Sequence, residues 1–415
     1  MKKHNPWSWI PSLYFAEGLP YVAVMTVSVI MYKKLEISNA DIAFYTSWLY
    51  LPWVIKPLWS PFVDLIKTKR WWVYSMQLLI GAGMAGIAFT IPVSFFFQAT
   101  LAFFWLMAFS SATHDIAADG FYMLGLSEED QAFFIGIRNT FYRIAMLTGQ
   151  GLLVMLAGFL EKRTGSIPFS WTIVFFVLAG LFIALALWHK YILPKPAVDV
   201  QRNDITPKTI LAEFGRTFVS FFQKKGIIPA LLFMLVYRLG ESQLVKLASP
   251  FLLDKRAVGG LGLETAQVGF AYGTVGVIAL LLGGILGGVA IAGGGLKKWI
   301  WPMALAISLP NLVYLYMAYV LPESILVVNA CVGIEQFGYG FGFTAYTMYL
   351  MLFADGKYKT SHYAISTGFM ALGMMLPGMA SGWIQEMIGY QYFFIWVMLC
   401  CIPAFLIIPF LKLNK

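Results

Sequence analysis

Charge is scarce in this sequence: Asp, Glu, Lys and Arg make up 12% of its 415 residues, about half the share of an ordinary soluble domain. So few charges cannot cover a water-exposed surface, which excludes a soluble globular chain. Cysteine is nearly absent. Cys331, Cys400 and Cys401 all fall in apolar runs, so neither a disulfide framework nor a metal site is indicated, and nothing calls for a cofactor. Strict two-residue alternation of apolar and polar positions is missing, which removes a membrane β-barrel. No cleavable signal is apparent, because the first apolar run is long and lacks a small-residue cleavage site.

What is present is apolar mass, with 60% of residues hydrophobic and 17% aromatic. Apolar runs of about 20 residues or more recur about twelve times, from near 9–32, 42–63 and 71–92 to near 361–386 and 391–411, each long enough to cross hydrocarbon as a helix. With no water to satisfy backbone groups there, helices are what remains once a barrel is removed. The expected fold is an all-α membrane protein of about twelve transmembrane helices. Loops on the side of the N-terminus carry Lys67, Lys69, Arg70, Lys190, Lys195, Arg202, Lys208, Arg216, Lys224 and Lys225, among others. The opposite side holds Lys33, Lys34, Lys162, Arg163, Lys255 and Arg256. That bias places both termini in the cytoplasm. It also accounts for the net charge of +9 through anionic lipid, with no nucleic-acid partner.

Between about 194 and 226 the hydropathy falls and the longest basic loop appears. The chain divides into residues 1–193, a six-helix bundle, a cytoplasmic linker 194–226, and residues 227–415, a second six-helix bundle. The halves share a pattern: Leu35-Glu36-Ile37-Ser38-Asn39-Ala40-Asp41-Ile42-Ala43-Phe44 aligns with Leu261-Gly262-Leu263-Glu264-Thr265-Ala266-Gln267-Val268-Gly269-Phe270. Two parallel six-helix repeats are the organisation of major facilitator transporters, which hold substrate between the halves near the bilayer midplane. The loop after the second span, with Asp64, Lys67, Lys69 and Arg70, resembles that superfamily's acid-then-basic latch motif. The Gly283-Gly284 and Gly287-Gly288 pairs read as close-packing positions.

Ionisable residues inside apolar runs are expensive and so point to function. Asp115 and Asp119 are four apart and share a helix face with Ser111, with Tyr122 near the same stripe. Counted from the turn near 129, Asp115 matches Arg143 in depth and Asp119 matches Arg138, so each of these two pairs is expected to form in at least one conformational state. A latch role for Asp119 and Arg138 competes with a transport role. His114 points about 100° from Asp115 on a helix, so a proton relay competes with a structural histidine. Glu17, Lys56, Arg238, Glu241, Lys246 and Glu335 are the other intramembrane charges. Arg238 and Glu241 are three apart and are able to neutralise each other. Glu17 precedes Gly18-Leu19-Pro20, which is expected to break or bend the first helix.

The runs Asp115-Ile116-Ala117-Ala118-Asp119-Gly120-Phe121-Tyr122 and Tyr142-Arg143-Ile144-Ala145-Met146-Leu147 resemble the fourth and fifth helices of the muropeptide permease (AmpG-type) family. Lys56-Pro57-Leu58-Trp59-Ser60-Pro61, Tyr237-Arg238-Leu239-Gly240-Glu241 and Glu335 through Ala345-Tyr346-Thr347-Met348-Tyr349-Leu350-Met351 extend the likeness over nearly the whole chain. It departs from the family at His114, where Gln is usual, and at Arg238 and Glu241, where Lys and Asp are usual. The resemblance implies a proton-coupled secondary transporter, not an enzyme, importing sugar-peptide fragments of peptidoglycan across the bacterial inner membrane by alternating access, as a monomer.

On that reading Glu17, Lys56, Arg143, Arg238, Lys246 and Tyr346 bind substrate, while Asp115, Asp119, Glu241 and Glu335 couple protons. Asp64, Lys69, Arg70 and Arg138 form the conformational latch. Tyr14, Trp48 and Trp53 are further aromatics able to stack on sugar faces. Acetyl-coenzyme A or another organic anion is the alternative cargo. A membrane acyltransferase, from the His-x4-Asp spacing of His114 and Asp119, is the alternative from another class, although that spacing turns the two side chains about 140° apart on a helix.

Overall fold

A computed structural model describes residues 5–199, 207–356 and 358–413, apart from the side chains of a few residues within helices. Among the described residues every regular element is helical. In chain order the α-helices are α1 (Ile10–Val22), α2 (Ser28–Lys34), α3 (Asn39–Trp48), α4 (Leu51–Ile66), α5 (Lys69–Thr90), α6 (Phe96–Gly125), α7 (Glu128–Met146), α8 (Val154–Thr164) and α9 (Ile167–Ile192). They continue with α10 (Pro207–Phe222), α11 (Ile227–Val236), α12 (Leu239–Leu253), α13 (Thr265–Gly269), α14 (Val277–Ser308), α15 (Leu312–Val320), α16 (Ile325–Ala354) and α17 (Lys359–Ile407).

Nine helical stretches of the described residues are long and apolar enough to cross a bilayer. Two of them run for 56 and 50 residues, roughly twice one crossing at about 1.5 Å per residue. Each is turned back by a glycine in the left-handed region, Gly295 at φ 71° and Gly389 at φ 76°, so each is a pair of crossings. The remaining crossing is α3 with α4. Pro52 has no amide to donate to the carbonyl of Trp48 four residues back, and the helix stops at Trp48 and restarts at Leu51. The fold is therefore the expected one of twelve spans in two six-helix repeats.

Several spans change pitch within the membrane. The first helix neither breaks nor stops at Gly18-Leu19-Pro20: it runs on through Pro20, and the irregularity follows as a π-helical turn at Ala23–Val27. Equivalent π segments, Leu147–Leu153 and Phe270–Gly276, join α7 to α8 and α13 to α14. Such widened turns rotate the residues beyond them relative to a plain helix and cluster at functional sites. Between α11 and α12 the helix opens at Tyr237 and Arg238, the latter at φ −108° and ψ 21°.

Contacts gather the chain into two compact units. One contains Met1–Ser28 and Ile55–Glu213, the other Val29–Val54 and Phe214–Lys415. The division expected at 194–226 follows the sequence repeat, whereas the contacts also send α2, α3 and the start of α4 with the C-terminal helices. In the first unit Trp9, Leu13, Tyr14, Ala117 and Phe121 form one buried cluster, and α1 reaches α7 through Gly18. A Cβ there would lie 2.9 Å from the carbonyl oxygen of Tyr142 and 3.0 Å from Ala145 Cβ.

In the second unit α14 and α16 meet backbone to backbone. Gly283 faces the Phe337 carbonyl and Gly340 the Leu280 carbonyl, both too close for any Cβ, which realises the small-residue packing read from the sequence. Gly340→Val is therefore expected to lower the thermal unfolding midpoint in detergent, since overpacking of this kind costs about 1–3 kcal/mol. Gly288→Ala, where a Cβ would meet nothing within 4 Å, is expected to leave it unchanged.

Candidate functional site

The first unit concentrates its charges where α1, α4, α6 and α7 meet. The four-residue spacing of Asp115 and Asp119 puts both on one side of α6, and each finds a cation. Arg138 Nη2 lies 2.8 Å from Asp119 Oδ1, as the depth match had indicated. The Tyr14 hydroxyl donates to the same oxygen at 3.2 Å, and the Arg138 guanidinium lies 4.4 Å from the ring centre of Tyr14 and 5.1 Å from that of Tyr122. Asp115 pairs with Lys56 of α4, not with Arg143. Arg143 instead donates to the sulfur of Met146, 3.5 Å away. Glu17 keeps a buried Oε2 that meets no hydrogen-bond donor.

His114 is 1% exposed and bonded through Nε2 to the side chain of Gln77 at 2.9 Å. It and Asp119 thus have different partners, so the acid–base couple that an acyltransferase reading needs is not assembled. The latch residues are also redistributed. Arg138 is taken by Asp119, while the Arg70 side chain bonds the carbonyls of Leu193, at 3.2 Å, and Lys190 at the end of α9. The amides of Lys69 and Arg70 give 2.8 and 3.0 Å bonds to the carboxylate of Asp199, an acid at a helix N-terminus where the dipole favours it. The side chain of Asp64 lies outside the described residues.

In the second unit the opening between α11 and α12 sets Arg238 at the helix start and Glu241 in the first turn. The two form a two-pronged pair, Nε to Oε2 at 2.5 Å and Nη2 to Oε1 at 2.9 Å. Nη2 also donates to the Tyr339 hydroxyl at 2.9 Å, and the guanidinium lies 4.9 Å from the Phe343 ring centre. Lys246, 2% exposed, donates to Thr46 Oγ1 at 3.0 Å and lies over the Tyr50 ring at 5.1 Å. Glu335, 4% exposed, accepts from Gln336 at 2.9 Å. Among the described residues neither Lys246 nor Glu335 has an ion-pair partner.

Tyr346 leaves the substrate-binding set. It is fully buried, stacked on Tyr237 at 5.1 Å, and its hydroxyl donates to the Met234 carbonyl at 2.5 Å, so its ring is core packing.

The sequence reading missed a polar knot in the second unit. Asn39 Nδ2 donates to Gln385 Oε1 at 2.7 Å and to the Tyr390 hydroxyl at 2.9 Å. Tyr390 donates to Asp254 at 2.7 Å, and Asp254 pairs with Lys33 at 2.7 Å. Lys33 also donates to Asn39 at 2.8 Å, and the amide of Ala40 to Glu386 at 2.9 Å. The loop charge Lys33 was the available signal, but it read only as a topology marker.

A family model described as Major Facilitator Superfamily matches residues 12–376. The chain belongs to that superfamily. It is a secondary transporter, a multi-pass bacterial membrane protein. The putative transporter AmpG 4 of Rickettsia conorii is 26% identical over 414 residues, covering 96% of this chain and 95% of that protein. The anhydromuropeptide permease of Escherichia coli K12 is 24% identical over 402 residues, covering 95% and 77%. Among solved structures, the nucleoside transporter NupG aligns with a TM-score of 0.71 at 15% identity over 100% of both chains. The D-xylose-proton symporter aligns at 0.73 and 12%, over 99% and 97%. Similarity at that level carries the superfamily fold and no more.

Arg238→Met alone strands a buried carboxylate and is expected to cost about 3–5 kcal/mol. Arg238→Met with Glu241→Met, which removes both charges, is expected to recover most of the lost thermal stability. Chemical-denaturant or thermal unfolding of the two variants checks this, and a double variant no more stable than the single one would contradict it.

Proposed function

We propose that this superfamily member imports anhydro-sugar peptides released from peptidoglycan, together with protons, across the bacterial inner membrane, with both termini cytoplasmic. The observation that carries the reading is a division of labour among the intramembrane charges. Three pairs are closed: Lys56–Asp115, Arg138–Asp119 and Arg238–Glu241. Left over among the described residues is one cation and one acid in each unit, Arg143 with Glu17 and Lys246 with Glu335. A charge inside a membrane span without a counterion is costly, so its retention fits a site that waits for an ion. The two spare cations suit carboxylates of a peptide-bearing sugar acid, and the two spare acids suit protons.

Energetics favour that combination. An inside-negative potential opposes each carboxylate by about 2.3 kcal/mol per 100 mV, and each proton that travels with it cancels one charge. The names of the full-length relatives supply the cargo class. Lys56, Arg238, Asp115, Asp119 and Glu241 then serve through their pairs, by opening or exchanging partners during transport, and Arg70 and Arg138 as latch residues.

In proteoliposomes, uptake of a labelled anhydro-sugar peptide is expected to rise with an acid-outside gradient. Glu335→Gln is expected to retain binding while losing the response to that gradient. Competition by free peptides, free sugars and acetyl-coenzyme A tests the cargo: displacement by acetyl-coenzyme A alone would replace the muropeptide with that anion.

Alternating access also requires the polar knot around Asn39 to open. With the native cysteines replaced by alanine, cross-linking Asn39→Cys to Gln385→Cys is expected to abolish uptake, and reduction to restore it. Full uptake with the link in place would rule out that movement.

A further inference from the structure

Ser12, His189, Gln77 and His114 form one unbroken line of side-chain hydrogen bonds inside the first unit, and the charge scheme above makes no use of it. Ser12 Oγ lies 2.9 Å from His189 Nε2, His189 Nδ1 2.8 Å from Gln77 Oε1, and Gln77 Nε2 2.9 Å from His114 Nε2. Gln77 and His189 are fully buried and His114 very nearly so.

Chemistry fixes the direction of the line. The amide nitrogen of Gln77 only donates, so His114 Nε2 carries a lone pair and the ring proton sits on Nδ1. The amide oxygen only accepts, so His189 also holds its proton on Nδ1, and its bare Nε2 receives the Ser12 hydroxyl. The line ends on a defect: His114 Nδ1 is buried with no partner.

Turning the Gln77 amide over exchanges its oxygen and nitrogen and reverses every bond. His114 Nε2–H then donates to the amide oxygen, the amide nitrogen donates to His189 Nδ1, and His189 Nε2–H donates to Ser12. The Ser12 hydroxyl then donates to the Trp9 carbonyl, 3.2 Å away. An imidazolium at His114 is compatible with the reversed line alone, because a doubly protonated ring offers no lone pair to an amide nitrogen.

We propose that His114 is a proton-binding site and that Gln77 is the positioning residue whose orientation follows its charge. One proton from solvent adds to His114 Nε2 as the amide turns, while His189 loses its Nδ1 proton to solvent and takes another from solvent at Nε2, so that the net uptake is one proton. Asp115, next to His114 on α6, pairs with Lys56 of α4, and His189 of α9 and Gln77 of α5 lie along the hydrogen-bonded line that ends on its ring. Asp119 of α6, paired with Arg138 of α7, and Glu17 of α1 belong to the same unit. Proton binding at His114 thus sets a second positive charge beside the Lys56–Asp115 pair. At the same time it resets the hydrogen bond joining α1 to α9. This deepens the proton-coupled reading, but its test needs no substrate.

The chain has four histidines, at 4, 114, 189 and 362, so the full-length protein in lipid nanodiscs is suited to ring nitrogen-15 NMR, with single His→Asn variants for assignment. Near pH 8 both His114 and His189 are expected as the Nδ1–H form, against the Nε2–H form that free imidazoles favour. Lowering the pH across the range in which the protein stays folded is expected to charge His114 and to switch His189 to Nε2–H at the same midpoint. Gln77→Glu, whose carboxylate accepts from both sides, is expected to hold a proton on His114 Nε2 and on His189 Nδ1 throughout. An uncoupled His189, or a His114 that stays neutral over the whole range, overturns the proposal. Coupled rings in a protein whose uptake ignores a proton gradient would instead sink the transport reading and leave this one standing.

Discussion

Hydrocarbon does not tolerate an idle charge, and most of what is distinctive in this molecule is an answer to that constraint. A lone ion within a bilayer helix costs at least about 2.5–3.5 kcal/mol on insertion scales, yet the chain keeps acids and bases on α1, α4, α6, α7, α12 and α16. Three acids are neutralised by neighbours, and the Arg238–Glu241 pair is sealed further by Tyr339 and Phe343. The charges left over then stand out against that background. Pairing is what makes an unpaired residue informative.

The helices are bent to serve those charges. Arg238 reaches Glu241 and Tyr339 together because α11 ends two residues before it and α12 starts one residue after, which turns its side chain inward at a helix start. Glu17 is brought to the charged cluster by Gly18, whose missing side chain lets α1 approach α7. In both cases the local backbone decides which charges meet.

The sequence made the scaffold legible because its cause is composition: long apolar runs, basic loops on one side and a repeat in two halves are one-dimensional signals. It also brought out Asp119 with Arg138, since two antiparallel helices joined by a short turn keep residues of equal depth level. It failed where a third helix intervened. Nothing in the spacing of α6 and α7 shows that Lys56 of α4 reaches Asp115 first, and nothing in the run around Tyr346 shows that its hydroxyl closes on the Met234 carbonyl. The knot of Lys33, Asn39, Asp254, Gln385 and Tyr390 was invisible for the same reason, because its members are scattered over more than 350 positions and converge through tertiary packing.

Neutral polar groups obey the same constraint as ions but answer it differently. An ion pair has one stable polarity, whereas a line of amide, imidazole and hydroxyl groups has two, each satisfying nearly all its members. The Ser12–His189–Gln77–His114 line lies in the same unit as the Lys56–Asp115 pair and ends on the residue next to Asp115. A device with two equivalent polarities stores a proton's arrival without breaking helix contacts. Opening an ion pair does break them, so a transporter that must change shape and stay folded gains from having both kinds side by side.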